Sequence, residues 1–181
     1  MPCAGGDGFL VMGEDRAISL GLPYVTILST IERHNAFAED PVQERGGWAI
    51  DAEAFYDAAG LGPEDMDFLQ AYDDYPVIVM LQLEGLGFCG RGEAPDYVRR
   101  TPLTAMEAGL PLNTGGGQLS VGQAGAAGGF LGLVEGIRQL TGEAQGGSVT
   151  DARFGIVSGY GMANYRHCVT SGALLLARAD A

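Results

Sequence analysis

The chain has 181 residues, a hydrophobic share of 46% and a formal net charge of -13. That is enough apolar material for one packed core and argues against a disordered chain. The acidic balance disfavours nucleic acid and anionic membranes as partners, and the absence of any lysine excludes Schiff-base chemistry on a lysine of this chain.

The three cysteines, Cys3, Cys89 and Cys168, are odd in number, far apart and without metal-ligand spacing, so a reduced, cytoplasmic protein with no metal site is expected. The first residues show no basic stretch followed by an apolar run, so no signal peptide is expected. No repeat, low-complexity tract or boundary interrupts the sequence, and one domain over residues 1–181 is expected.

Taken in order, residues 9–12 form a short apolar run that reads as a buried strand. Residues 14–21 read as a helix, acidic in its first turn and stopped by Gly21. The β-branched run 24–31 is a second strand. Residues 34–50 are polar and contain glycine, which makes them a loop anchored by Trp48. Asp51 is placed to cap a helix through Ala59, and a turn follows over 60–65. Residues 66–72 are a third strand. Pro76 opens a helix running to Gly85. Residues 91–111 carry Pro95, Pro102 and Pro111 and read as a surface connector with short helical pieces. Residues 152–158 and 173–177 are the last two strands, with 159–171 a long hairpin or rim loop between them.

Between connector and final strands lies the stretch Asn113-Thr-Gly-Gly-Gly-Gln-Leu-Ser-Val-Gly-Gln, a glycine turn entering an apolar helix expected over 119–140. Gly115, Gly116 and Gly117 permit positive φ and close approach of a bound group. The first free N–H groups of the helix, with the positive dipole end behind them, suit a phosphate, carboxylate or thioester oxyanion. The turn lacks the Lys-Ser/Thr ending of a Walker loop. Glycines that serve only turn geometry and packing are the alternative. The alternation of strands and helices specifies an α/β layered domain, in which ligands gather at strand ends and helix starts. Tyr72, the glycine turn and residues 159–161 all fall at such ends.

These stretches, in this order, resemble the C-terminal half of the thiolase superfamily, nearest to its sterol-carrier-protein and lipid-transfer branch. The opening Pro2-Cys-Ala-Gly-Gly-Asp-Gly is similar to the family's Cys-Pro-x-x-Asp-Gly. The run Tyr72-Asp-Asp-Tyr-Pro, continued by Leu83-Glu-Gly-Leu-Gly-Phe-Cys, is similar to this branch's Tyr-Asp-x-Phe-Thr and Leu-Glu-x-Leu-Gly-Phe-Cys. Asn113-Thr-Gly-Gly-Gly matches the Asn-x-x-Gly-Gly turn. The resemblance implies a thiolase half-fold with a five-stranded mixed sheet between helix layers. It implies carbon–carbon bond chemistry on a coenzyme A thioester, bound as substrate with no further cofactor. It also implies partners: an N-terminal half or a second copy of the chain, and the small zinc-ribbon/OB-fold protein that often accompanies this branch.

Two departures are large. Where degradative thiolases carry Gly-His-Pro, this chain has Gly122, Gln123 and Ala124. Where they carry the cysteine of Cys-x-Gly, it has Val157. Neither glutamine nor valine moves a proton near neutrality, so classical thiolysis by this chain alone is not expected. The steroid side-chain aldolases resemble thiolases that have lost these residues and cleave β-hydroxyacyl thioesters, with tyrosines able to fill the acid and base roles. On that resemblance the catalytic candidates are Tyr72, Gln123 and Tyr160, and the thioester would lie against Asn113, Gly115, Gly116, Gly117 and Gly122. A non-catalytic acyl-CoA-binding, lipid-binding or scaffold subunit is the other reading.

Among the remaining groups, Asp73 and Asp74 are either paired carboxylates for proton transfer or caps for the helix that Pro76 opens. His167 lies near the expected site, and His34 reads as a solvated loop residue. Cys89 reads as an inert buried thiol. Arg99 and Arg100 either meet a phosphate or face water.

Overall fold

In the computed structural model of the chain, the described residues are 3–123, 129–164 and 167–181. The strands are β1 (Val25–His34), β2 (Phe68–Gln70), β3 (Phe154–Asn164) and β4 (His167–Arg178). They form one mixed sheet in the order β1-β4-β3-β2, antiparallel except for the parallel β2/β3 pair. The helices are α1 (Glu14–Leu20), α2 (Trp48–Asp57), α3 (Pro76–Gly85), α4 (Ala94–Arg100), α5 (Gly117–Val121) and α6 (Phe130–Thr141).

Period-two alternation sorts the strand side chains between two cores. Leu69, Ile156 and Leu175 meet Trp48, Phe55 and Leu83 of α2 and α3. Their neighbours Phe68, Val157 and Leu176 meet Leu140 of α6. The sheet therefore lies between two helix layers, as expected for the α/β class.

Among the described residues the sheet has four strands, not the five expected. Beside β2 there is a single parallel bridge, Leu69 to Leu112. The Leu69 N–H donates to Pro111 O at 2.9 Å and the Asn113 N–H to Leu69 O at 3.0 Å. Pro111 has no N–H to extend that ladder. The missing strand is residues 9–12: Leu10 and Val11 are each 78% exposed, and among the described residues no ladder partner lies beside them. Local apolarity favours extended chain, but a strand needs a neighbouring edge to pair with.

Three more boundaries move. The helix expected to be capped by Asp51 begins earlier, with Gly47 at its N-cap. Asp51 instead accepts two 2.6 Å hydrogen bonds from the Arg33 guanidinium. Trp48, fully buried, donates its indole N–H to Gly172 O at 2.9 Å and so ties the preceding loop to β4. The single long helix expected over 119–140 is two, α5 and α6. α5 stops at Gly122, whose φ of 102° and ψ of 179° suit glycine alone. Of residues 159–171, expected as a long hairpin or rim loop, the hairpin alternative holds: 159–164 and 167–171 continue β3 and β4 as a ladder from Gly159↔Gly172 to Asn164↔His167. Backbone hydrogen bonds carry that ladder, so its glycines hide it from any side-chain pattern.

Candidate active site

The site is built at the C-terminal end of β2. The Tyr72 N–H is shared between Ser158 O and Gln82 Oε1, both at 3.1 Å. The Gln82 amide returns a 2.7 Å bond to Tyr72 O and a 3.0 Å bond to Ile78 O. Ser158 Oγ donates to Gln82 Oε1 at 2.6 Å. Gln82 is fully buried, so a side-chain amide from α3 does for the end of β2 what a neighbouring strand would do. On the other side, Asn113 Oδ1 accepts from the Ala71 N–H at 2.7 Å. Sequence reasoning passed over Gln82, although a lone glutamine within the apolar run of α3 was a visible signal.

The glycine turn packs against the same strand end. Asp73, 6% exposed, accepts from the Gln118 N–H at 2.8 Å and the Leu119 N–H at 3.4 Å. It therefore caps α5. The helix expected to receive it, α3, has Tyr75 at its N-cap and no side-chain bond there. The N–H groups expected to face a bound oxyanion are thus occupied by a carboxylate of the chain itself. The fit is close: a Cβ on Gly117 would stand 2.1 Å from Asp73 Oδ2, which is why glycine is needed there.

Behind the turn a polar network fixes its base. Thr114 Oγ1 donates to Glu135 Oε1 at 2.8 Å and accepts from Gln70 Nε2 at 2.8 Å. Gln139 Nε2 donates to Glu135 Oε1 at 2.8 Å and to Gly147 O at 2.7 Å. Two buried polar side chains of α6 thereby hold the turn to the loop before β3.

A cavity of about 220 Å³ opens between β2, the turn and α6, with Tyr72, Asn113, Gly115, Gly117, Gln118 and Glu135 in its wall. Tyr160 stands behind Tyr72, ring centroids 6.0 Å apart. Its hydroxyl donates to Gln43 Oε1 at 3.1 Å, and its ring stacks on Trp48 at 6.5 Å. Tyr72, the glycine turn and the β3/β4 corner therefore converge on one rim. Gly116 sits at the N-cap of α5, outside the cavity wall. Gly122 and Gln123 follow the end of α5, where Gln123 O accepts from the Cys3 N–H at 2.9 Å. Position 124 lies outside the described residues.

The electrostatics favour neutral phenols. Burial, then the charge of Asp74, raises the Tyr72 pKa, partly offset by a hydrogen bond from the Gln118 side chain. Burial raises that of Tyr160. Both tyrosines are therefore proton donors at neutral pH. The histidines are elsewhere: His34 meets Glu32 Oε1 at 2.9 Å, and His167 meets Asn35 Oδ1 at 3.2 Å. The Cys89 thiol is pushed up to about 11, by burial first and then by Glu84 and Glu93. Arg99 pairs with Asp96 at 2.6 Å, and Arg100 lies over the Tyr97 ring at 5.9 Å.

Residues 30–171 match the family described as thiolase C-terminal domain-like. The chain belongs to that family. It is 45% identical over 86 residues to a 17-hydroxy-3-oxo-4-pregnene-20-carboxyl-CoA lyase of Mycobacterium tuberculosis, covering 46% of this chain and 21% of that one. It is 32% identical over 156 residues to a steroid side-chain-cleaving aldolase of Thermomonospora curvata, covering 81% of this chain and 39% of the relative. Among solved structures, an Ltp2–ChsH2(DUF35) aldolase superposes with a TM-score of 0.69 at 25% identity, over 86% of this chain and 40% of that one. The chain thus spans about two-fifths or less of these relatives. Among the described residues no helix is long and apolar enough to cross a membrane.

Proposed function

We propose that this thiolase-like chain is the C-terminal half of an acyl-CoA carbon–carbon bond enzyme, a retro-aldol lyase that works only with an N-terminal half. The observation that carries this reading is Tyr72, a phenol kept protonated at the mouth of the cavity and held by backbone bonds on both sides. In a retro-aldol cleavage the β-hydroxyl loses its proton, the Cα–Cβ bond breaks, and its electron pair passes to the thioester as an enolate. Tyr72 donates a hydrogen bond to that enolate, and Tyr160 supports the ring behind it. Of the described groups on the cavity wall, the Glu135 carboxylate is the one proposed to receive the hydroxyl proton. A glutamine at position 123, in place of the thiolase histidine, supports aldol rather than Claisen chemistry.

The related solved structure joins Ltp2 to ChsH2(DUF35). On that likeness we propose that the working assembly also includes a zinc-ribbon/OB-fold partner. The test is co-expression with an N-terminal half and with such a partner, followed by assay of β-hydroxyacyl-CoA cleavage. Cleavage is expected to fall by about 10²–10⁴ in Tyr72→Phe if the phenol donates in the transition state.

One observation favours a second reading, an acyl-CoA- or lipid-binding subunit without chemistry. Asp73 fills the helix start that would otherwise stabilise an oxyanion. Acyl-CoA binding without turnover in every assembly would select it.

A further inference from the structure

The carboxylate that takes the hydroxyl proton is held by one oxygen and left open at the other. Glu135 is 6% exposed and stands in the cavity wall. Its Oε1 accepts from Thr114 Oγ1 and from Gln139 Nε2, each at 2.8 Å. The direction of the first bond is forced. The other groups at Thr114 Oγ1 are the amide nitrogens of Gln70 at 2.8 Å and Gln139 at 2.9 Å, and an amide nitrogen cannot accept. The hydroxyl proton of Thr114 therefore goes to Glu135 Oε1, which faces donors only. Oε2 has no donor among the described residues. Nor is it one of the sealed atoms without a partner, which are Gln43 Nε2, Gln118 Oε1 and His167 Nδ1. It is the oxygen open to the cavity.

The glycine turn supplies the space for it. Gly116 and Gly117 have positive φ, but Gly115 does not, so its backbone would admit a side chain. What calls for glycine at 115 is room. A Cβ there would stand 3.1 Å from Glu135 Cδ and 3.2 Å from both Cγ and Oε2, shorter than a comfortable contact of about 3.5–4.0 Å. All three atoms belong to one side chain. Pinned through Oε1, that side chain makes room by swinging Oε2 away from its place.

We infer that Thr114 and Gly115 are positioning residues of the base: Thr114 fixes Glu135 by Oε1, and the bare Cα of Gly115 leaves Oε2 the room to take the β-hydroxyl proton. The inference rests on the retro-aldol reading of the cavity and says how its base is aimed. The step itself is unchanged: the proton passes from the β-hydroxyl to Oε2 as the Cα–Cβ electron pair passes to the thioester. Because Oε1 already receives two donors, the two carboxylate oxygens are not interchangeable, and a small displacement of Oε2 has a direct cost in rate.

The test has two arms. The first reads the melting temperature of the full chain alone. Gly115→Ala should cost about 2–4 °C more in the unaltered chain than in Glu135→Ala, where the atoms it would meet are gone. Equal shifts in the two backgrounds overturn the inference. The second arm uses the chain co-expressed with an N-terminal half and a 3-hydroxyacyl-CoA that this assembly cleaves. Glu135→Gln should lower kcat by about 10²–10⁴. Gly115→Ala should lower it about tenfold with KM within about twofold. Added to Glu135→Gln, it should lower kcat less than about twofold further, since the group it acts through is already gone. Thr114→Val, which keeps the shape and removes the hydroxyl, should lower kcat about tenfold, and Thr114→Ser should stay within about twofold of the unaltered enzyme. Full kcat in Gly115→Ala overturns the inference. So does a raised KM at unchanged kcat, which would make Gly115 a substrate contact, and so does equal kcat in Thr114→Ser and Thr114→Val. Cleavage that survives Glu135→Gln removes the base and this inference but leaves the retro-aldol reading standing. If no assembly cleaves, that reading falls and the inference with it.

Discussion

At the scale of single residues, the site depends on groups that serve the backbone before they serve a substrate. Asp73 satisfies two N–H groups of α5. Asp73→Ala should cost about 1–2 kcal/mol, read as a fall in melting temperature of about 2–4 °C per kcal/mol. An unchanged melting curve would mean that α5 does not need its cap. Tyr72 has a definite pH signature. Its folded pKa is raised, so its contribution to stability is present below the ordinary tyrosine value and is lost as pH rises through the folded one. Cleavage by the assembled enzyme should therefore be insensitive to Tyr72 ionisation near neutrality and decline above about pH 10, where phenols begin to ionise. Tyrosinate absorbance of the native protein against Tyr72→Phe locates that step. The Cys89 thiol, pushed up to about 11, carries little thiolate at pH 8, whereas Cys3 is exposed. Iodoacetamide at pH 8 should alkylate Cys3 first and leave the half-buried Cys89 at least about tenfold slower; equal rates would contradict a raised Cys89 pKa.

At the scale of elements, α6 shows packing overriding propensity. Gly136 lies within this helix, where alanine would ordinarily gain about 1 kcal/mol. A Cβ there would stand 2.8 Å from Val157 Cγ2 and 3.6 Å from Leu176 Cδ1. Gly136→Ala is therefore expected to destabilise the fold by about 1–3 kcal/mol through overpacking. Chemical denaturation decides the sign, and a stabilised variant would show that α6 is free to move off the sheet. Gln82 and Asn113 act at the same scale from different elements. Each carries a hydrogen bond to the end of β2 that a longer sheet would have carried, which is how a three-residue strand can end in a well-placed tyrosine.

At the scale of the whole molecule, charge and apolar exposure work against each other. A net charge of -13 repels itself at low ionic strength, so moderate salt should raise the melting temperature through screening. Several large apolar side chains remain exposed, among them Leu10, Val11, Leu119, Val121 and Phe130. Such a surface is expected to associate, and an N-terminal half that covers it should reduce dye binding by the isolated chain.

The layered α/β class, the family, and the placing of α1, α3 and the strand cores were legible in the sequence. Apolar periodicity, a proline at a helix start and a glycine at a helix stop act locally, and local signals survive in a linear text. Tyr72 and the glycine turn were legible too, because strand ends and glycine runs mark themselves. The fate of residues 9–12, the division of the long helix at Gly122, the extension of β3 and β4, and the capping of α5 by Asp73 were decided only in three dimensions. Each depends on a partner distant in the chain: an edge to pair with, a carboxylate 45 residues before the helix it caps, a ladder carried by backbone alone.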